Sequence, residues 1–154
     1  MSTTDQNKLT VRRLVEEGFN KQNLKLIDET FAKDAISHDP SQPNLARGPE
    51  GARESMRMYS TAFPDAKLTI EREVAEGDYV VQYLSTKGTH TGPLGNIPAT
   101  GKKTNVTGVI ISKFENGKVV ETWSLWDQLS LMQQIGVVPT PEAAAKQPAM
   151  AGVR

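Results

Sequence analysis

The sequence has no cysteine. That excludes a disulfide framework, a thiolate metal site and a cysteine nucleophile. It also lacks an excess of either charge: 18 basic residues balance 18 acidic ones. Bulk charge therefore points to neither nucleic acid nor an anionic membrane surface, and no charge run is long enough to act as a tail. No apolar run approaches the length that spans a bilayer. The opening Met1-Ser2-Thr3-Thr4-Asp5-Gln6-Asn7-Lys8 is polar and without the apolar core of a signal peptide, so a cytoplasmic location is expected. Histidine is scarce, with two in the chain and no ligand pair at helical spacing. A metal site drawn from His38, Asp39, His90 and Asp127 is therefore possible in type but not expected. The glycines Gly88, Gly92, Gly95 and Gly101 lack the spacing and following helix of a phosphate cradle, and no serine sits in a nucleophile elbow.

What is present is one domain, residues 1–138, long enough for its own core. Val11, Leu14, Val15 and Phe19 recur at helical spacing, as do Leu24, Ile27 and Phe31 after Asn23, a residue type suited to an N-cap. A third helix carries Ala52, Met56, Tyr59 and Phe63, opens at Gly48-Pro49 and stops before Pro64. Ile36-Ser37-His38-Asp39-Pro40 and a polar loop lie between the second and third helices. The period then changes to two. Leu68, Ile70 and Val74 alternate with Thr69, Glu71 and Glu73, which predicts a half-exposed strand. Glu76-Gly77-Asp78 is a turn, and 79–85 is a denser strand expected to be covered on both faces. A loop over 91–103 precedes a strand at 106–114. Asn116-Gly117 is a hairpin signal leading into 119–126. A short helix over 128–135 ends at Gly136. Residues 139–154 are rich in alanine and proline and read as a loose tail or docking arm. Helices first and strands after them indicate an α+β fold.

Several phrases, taken together and in order, resemble a known family. They are Ala62-Phe63-Pro64-Asp65, Glu76-Gly77-Asp78, Gly88-Thr89-His90-Thr91-Gly92, Pro98-Ala99-Thr100-Gly101, and Gly117-Lys118-Val119-Val120-Glu121-Thr122-Trp123 with Asp127. Over about residues 8–137 the chain is similar to SnoaL-like polyketide cyclases, also labelled predicted ester cyclases, of the nuclear-transport-factor-2-like superfamily. The resemblance implies a cone-shaped, curved mixed β-sheet wrapped around three N-terminal helices, with a central cavity for a small apolar or aromatic molecule. It implies a homodimer formed across the outer sheet face, and an intramolecular aldol closure without metal or organic cofactor. One departure stands out: the family often has a histidine between the glutamate and tryptophan of the last strand, and here that position is Thr122.

Asp127 is the first candidate for chemistry. Aldol closure needs a base for the proton alpha to a carbonyl and then an acid for the new alkoxide, and one carboxylate can serve both steps. Trp123, Leu125 and Trp126 are expected to wall it in apolar surface. Asp127 also stands where a strand meets a helix, so an N-cap is an equal reading. His90 suits proton transfer or a hydrogen bond to a substrate carbonyl, or else bonds its own loop. His38 and Asp39 form either an orienting dyad or a turn in which Asp39 bonds its own backbone. Arg53 and Arg57, one helical turn apart beside Met56 and Tyr59, either steer an ester oxygen into the cavity mouth or form a solvated face. Tyr83 and Gln82 point to opposite sides of one strand, so one of them faces inward. Substrate-binding candidates are thus Asp39, Arg53, Met56, Tyr59, Tyr83 and Trp123. Three readings follow: a cofactor-independent cyclase or isomerase-like enzyme, a non-catalytic binding protein with the same cavity, and an epoxide or ester hydrolase. The last wants a second carboxylate or an arginine beside Asp127.

Overall fold

Ser2 opens the first helix, α1 (Thr3–Arg13), with a reciprocal capping box: its hydroxyl takes the Asp5 amide while the Asp5 carboxylate takes the Ser2 amide. The computed structural model describes residues 1–146. After α1 the backbone widens into a π-helical turn, Leu14–Phe19, in which the Asn20 amide reaches back to the Val15 carbonyl. The next helix, α2 (Lys25–Thr30), starts at Leu24 with no side-chain cap. Asn23 contributes its backbone carbonyl to Leu26 instead, which corrects the expected asparagine cap.

Chain then passes directly into β1 (Phe31–His38), a strand where the sequence showed only a loop approach. A long loop leads to α3 (Pro49–Ala62), with proline in its first turn and Gly48 before it. Gly48 has φ +75°, donates its amide to Ala35 at 2.8 Å, and leaves no room for a Cβ, which would fall 2.2 Å from the Lys33 carbonyl oxygen. The close approach pins the start of α3 to β1.

Four further strands follow: β2 (Lys67–Glu76), β3 (Tyr79–Thr89), β4 (Lys103–Glu115) and β5 (Lys118–Trp126). The hairpin between β4 and β5 turns through Asn116 and Gly117, both at positive φ as a tight two-residue turn requires. The sheet runs β1-β5-β4-β3-β2, antiparallel except for the parallel β1–β5 pair, so it is a curved mixed sheet with helices on its inner face. After β5 come α4 (Gln128–Gln134) and α5 (Pro141–Ala145). The expected loose tail therefore begins with a short helix capped by Thr140; the remainder, 147–154, lies outside the described residues.

The core has two parts. One gathers Val11, Ile27, Phe31, Val80, Phe114 and Val119 between the first helices and the sheet, and the other gathers Ala62, Phe63, Val106, Leu131 and Ile135 under α3 and α4. Between these layers the inner face of the sheet is left partly uncovered.

Two departures concern which face a residue takes. In β2 a bulge between Ile70 and Arg72 shifts the register. Beyond it Val74 turns outward, 64% exposed, and Glu73 turns inward. The inward carboxylate is compensated by Arg12 at 2.7 Å and the Gln82 amide at 2.9 Å. In β3 the outer side chains Tyr79 and Tyr83 are exposed, so the strand is covered on one face and not on both.

Candidate active site

The uncovered part of the inner face encloses a cavity of about 200 Å³. Its walls are mainly apolar, with α1 and the π turn supplying Val11, Leu14 and Phe19, and α3 supplying Met56 and Phe63. Both carboxylates of the lining stand at the end nearest α4. There Asp127, Gln128, Tyr59 and Asp39 line the cavity together.

Asp127 takes the N-cap reading and also stands at the cavity. As N-cap of α4, its Oδ1 accepts the Ser130 amide at 3.0 Å. It lines the cavity at an exposed rim, and Oδ2 takes no hydrogen bond from the described residues. The backbone reason is local: the Asp127 amide donates to the Thr107 carbonyl at 3.0 Å, which ties the end of β5 to β4 just as the helix begins. The expected apolar wall is only partly there. Trp126 lines the cavity, whereas Leu125 is 57% exposed on the outer face.

Tyr59 stands beside it. The Gln128 Nε2 donates to the Tyr59 hydroxyl oxygen at 2.9 Å, so the phenol proton is left for another acceptor. Asp39 is 9% exposed and carries three hydrogen bonds, from the Ser41 amide (2.8 Å), the Ser41 hydroxyl (2.6 Å) and Gln42 Nε2 (3.1 Å). That is the turn-forming arrangement, placed at the cavity rim. Gln42 also donates to Ser55 on α3 at 2.9 Å, so the turn is locked to the helix.

Four expected residues are not brought to this site. His90 is fully buried; Nδ1 meets the Thr100 hydroxyl at 2.9 Å and the Thr100 amide at 3.3 Å, and the ring packs on Phe63 with centroids 5.2 Å apart. Accepting the amide at Nδ1 leaves the proton on Nε2, which has no partner and is sealed from the cavity. His90 holds the loop after β3. Tyr83 and Trp123 lie on the outer face, because Gln82 and Thr122 take the inward positions of β3 and β5. Arg53 is held by Asp28 and Glu50, which raise its already high pKa, the Asp28 bond most of all, and it does not line the cavity.

His38 borders the cavity, but its imidazole points away from it. Nε2 lies 2.6 Å from Glu121 Oε2, and the ring stacks on Trp123 at 5.4 Å. The pair with Asp39 is therefore not an orienting dyad: the histidine serves the outer face and the aspartate the rim.

The sequence reading missed Gln128, whose partner Tyr59 is 69 residues away and carries no local signal. It also missed Ser112, which alternation from Phe114 would have placed inward. Among the described residues no three acidic or imidazole side chains converge as metal ligands. Among the described residues neither lysine nor arginine lines the cavity, while two aspartates do.

Comparison with known proteins bears on what such a cavity is for. The family model described as SnoaL-like polyketide cyclase matches residues 9–135. The aklanonic acid methyl ester cyclase DnrD of Streptomyces peucetius is 30% identical over 110 residues, covering 70% of this chain and 73% of that protein. The aklanonic acid methyl ester cyclase DauD of Streptomyces sp. (strain C5) is 28% identical over 139 residues, covering 86% and 83%. The structure of TsrD from Streptomyces laurentii superposes with a TM-score of 0.80 at 25% identity, covering 90% of this chain and all of that one.

Proposed function

Given that the chain belongs to the SnoaL-like polyketide cyclase family, we propose that it closes a ring in an uncharged polycarbonyl ester by carboxylate acid/base chemistry at Asp127. The observation that carries the reading is the division of labour within that one side chain. Oδ1 is fixed by the Ser130 amide and Oδ2 stands free at the cavity rim.

Oδ2 takes the proton alpha to a carbonyl. The resulting enolate carbon attacks a second carbonyl carbon of the same molecule, a C–C bond forms, and the π electrons move onto that oxygen. The alkoxide then takes the proton back from Asp127. The sum is an isomerisation, with nothing gained or lost, so no cofactor is required. Tyr59, its oxygen occupied by Gln128, donates its proton as a hydrogen bond to the oxygen on which charge develops. Two aspartates, with no cation beside them among the described residues, would repel a free carboxylate, whereas an ester enters without that cost. The two named relatives are cyclases of a methyl ester, which supports the same substrate class.

A second reading, binding without chemistry, is favoured by the distance of both imidazoles from Asp127's work: His90 is sealed behind Phe63 and His38 faces outward. Asp127→Asn separates the two. Asparagine caps a helix as well as aspartate does, so the fold is kept while the base is removed. Loss of turnover on a polyketide methyl ester with unchanged melting temperature supports the enzyme; unchanged turnover would leave the binding reading.

The chain also forms a homodimer through the outer sheet face. Val74, Val81, Ile111 and Trp123 are cross-strand neighbours, as are Tyr83, Val109 and Leu125, giving two adjoining apolar rows across β2 to β5. Val74, Tyr83 and Leu125 are 64%, 41% and 57% exposed in the single chain, the pattern of a surface awaiting a partner.

A further inference from the structure

The bulge in β2 reaches the cavity through two buried side chains. It makes Glu73 the inward register partner of Gln82 on β3. The Glu73 side chain is 5% exposed and Gln82 3%. Of the two, Gln82 lines the cavity and Glu73 does not, so the carboxylate stands behind the amide. Arg12 Nε donates to Glu73 Oε1 at 2.7 Å, and Gln82 Nε2 donates to Glu73 Oε2 at 2.9 Å. A carboxylate offers acceptors only, so the amide faces it in one sense, with its N–H toward Glu73 and its carbonyl oxygen away. Gln82 Oε1 takes no hydrogen bond from the described residues and is not closed off as the His90 Nε2 is, so it stands open to the cavity that its side chain lines.

A buried carboxylate is costly to keep unless it is paired. An apolar side chain at position 73 would pack beneath α1 and leave the Gln82 amide free to turn either way. We propose that Glu73 is a positioning residue: held by Arg12, it locks the Gln82 amide so that the cavity shows a hydrogen-bond acceptor there, and through that acceptor it sets which way round a substrate lies. Giving its N–H to a carboxylate also polarises the amide and strengthens its oxygen as an acceptor. Tyr59 shows the opposite polarity. Its oxygen is occupied by Gln128, so it offers a donor at the Asp127 end. Gln82 pairs with Ile110 on β4, and Ile110 with Ser124 on β5, and all three line the cavity. The acceptor therefore lies two strands from β5, about 10 Å across the sheet. A substrate with a carbonyl at one end and a hydroxyl at the other then has one favoured direction. Its carbonyl oxygen meets Tyr59 and its hydroxyl meets Gln82. Turned round, a carbonyl oxygen would face the Gln82 oxygen with no proton between them, and both would lose a hydrogen bond. The inference rests on the reading of the cavity as the reaction site, and it adds a residue that acts on a substrate only through another.

The test is a ratio of affinities, measured by equilibrium dialysis with two probes: 2-naphthol, which carries a proton to donate, and 2-methoxynaphthalene, in which a methyl replaces it. The wild type is expected to prefer the naphthol about fivefold, the effect of one neutral hydrogen bond. Glu73→Gln keeps the shape of the side chain, but an amide gives or accepts, so Gln82 is free to turn and the preference falls to within about twofold. Gln82→Met removes the acceptor at similar volume and should give the same fall, which keeps the test open where the first variant does not fold. Combining Glu73→Gln with Gln82→Glu exchanges the two groups and returns an acceptor to the cavity, so the preference should come back. A purely structural tie between α1 and the sheet would instead weaken both probes alike, leave the ratio as it was, and gain nothing from the exchange. A wild type that binds the two probes equally or binds neither, a preference kept in Glu73→Gln or Gln82→Met, or an exchange that restores nothing would each overturn the proposal. The ratio is read without turnover, so a wild type that shows the whole pattern but converts no ester would retire the cyclase reading alone.

Discussion

Both faces of the five-stranded sheet carry apolar side chains, yet they differ in how these are covered. On the inner face apolar side chains alternate with hydroxyls and Gln82, and helices close over them. On the outer face Trp123 lies under His38, Tyr79 leans on Trp123 at 6.4 Å, and Val74, Tyr83 and Leu125 stand uncovered. Apolar character alone does not mark a pocket. Enclosure with polar groups does, whereas an apolar face without enclosure stays open to another surface.

The largest expected effect breaks that contrast at its chemical end. Asp127→Asn on the inner side should lower turnover on the order of 10²–10⁴-fold, and Glu121→Gln on the outer side should change it little; single-turnover rates on a polyketide ester check both. Comparable losses from the two variants would mean that the outer pair takes part in the reaction.

Next, Tyr83→Glu with Leu125→Lys puts charge into the outer rows. Sedimentation equilibrium should then report the mass of one chain where the wild type reports two, with the cavity unaffected. A wild type that is already monomeric would remove the interface.

A smaller effect is expected from Gly108, where β4 passes beneath Trp126. A Cβ there would fall 2.4 Å from the indole ring. Gly108→Ala should therefore cost about 1–3 kcal/mol by overpacking and push Trp126 toward the cavity, raising KM. Val109→Ala, one residue on and facing outward, should leave KM alone. An equal KM in both variants would show that Trp126 has room to move aside.

The smallest effect concerns a loop anchor. Asp65 Oδ1 accepts the Thr89 amide at 2.7 Å, and that bond holds its carboxyl below the ordinary value of 3.8. A carboxylate lowered on folding adds stability that is present above the unfolded value and lost as pH falls through the folded one. Asp65→Ala should melt slightly below the wild type at pH 7, and the gap should close below about pH 3.8. A gap that persists in acid would assign the difference to packing.

Much of the fold was legible in the chain. The α3 boundaries follow from Gly48-Pro49 and Pro64, and the β4–β5 hairpin from Asn116-Gly117, because proline fixes φ while glycine and asparagine tolerate positive φ, each a local effect. β1 was not legible: its apolar Phe31 also completes the helical spacing of Leu24 and Ile27, and Lys33 and Asp34 interrupt any alternation. Asp127 was legible in type and place. For His90 the sequence left two readings open, proton transfer or a bond to its own loop, and the contacts with Thr100 are those of the second; only the folded loop brings the two residues together.

By itself the sequence determined the α+β class, the family and the presence of a carboxylate at the junction of β5 and α4, because each is carried by short local segments and their order along the chain. Only the tertiary structure decided which side of the sheet each residue serves. A strand's side chains alternate strictly, so one bulge exchanges every residue beyond it. The bulge between Ile70 and Arg72 did this to Val74 and Glu73. Register across β1, β5 and β4 likewise drew Ser37, Thr122 and Ser112 into one row from three distant parts of the chain.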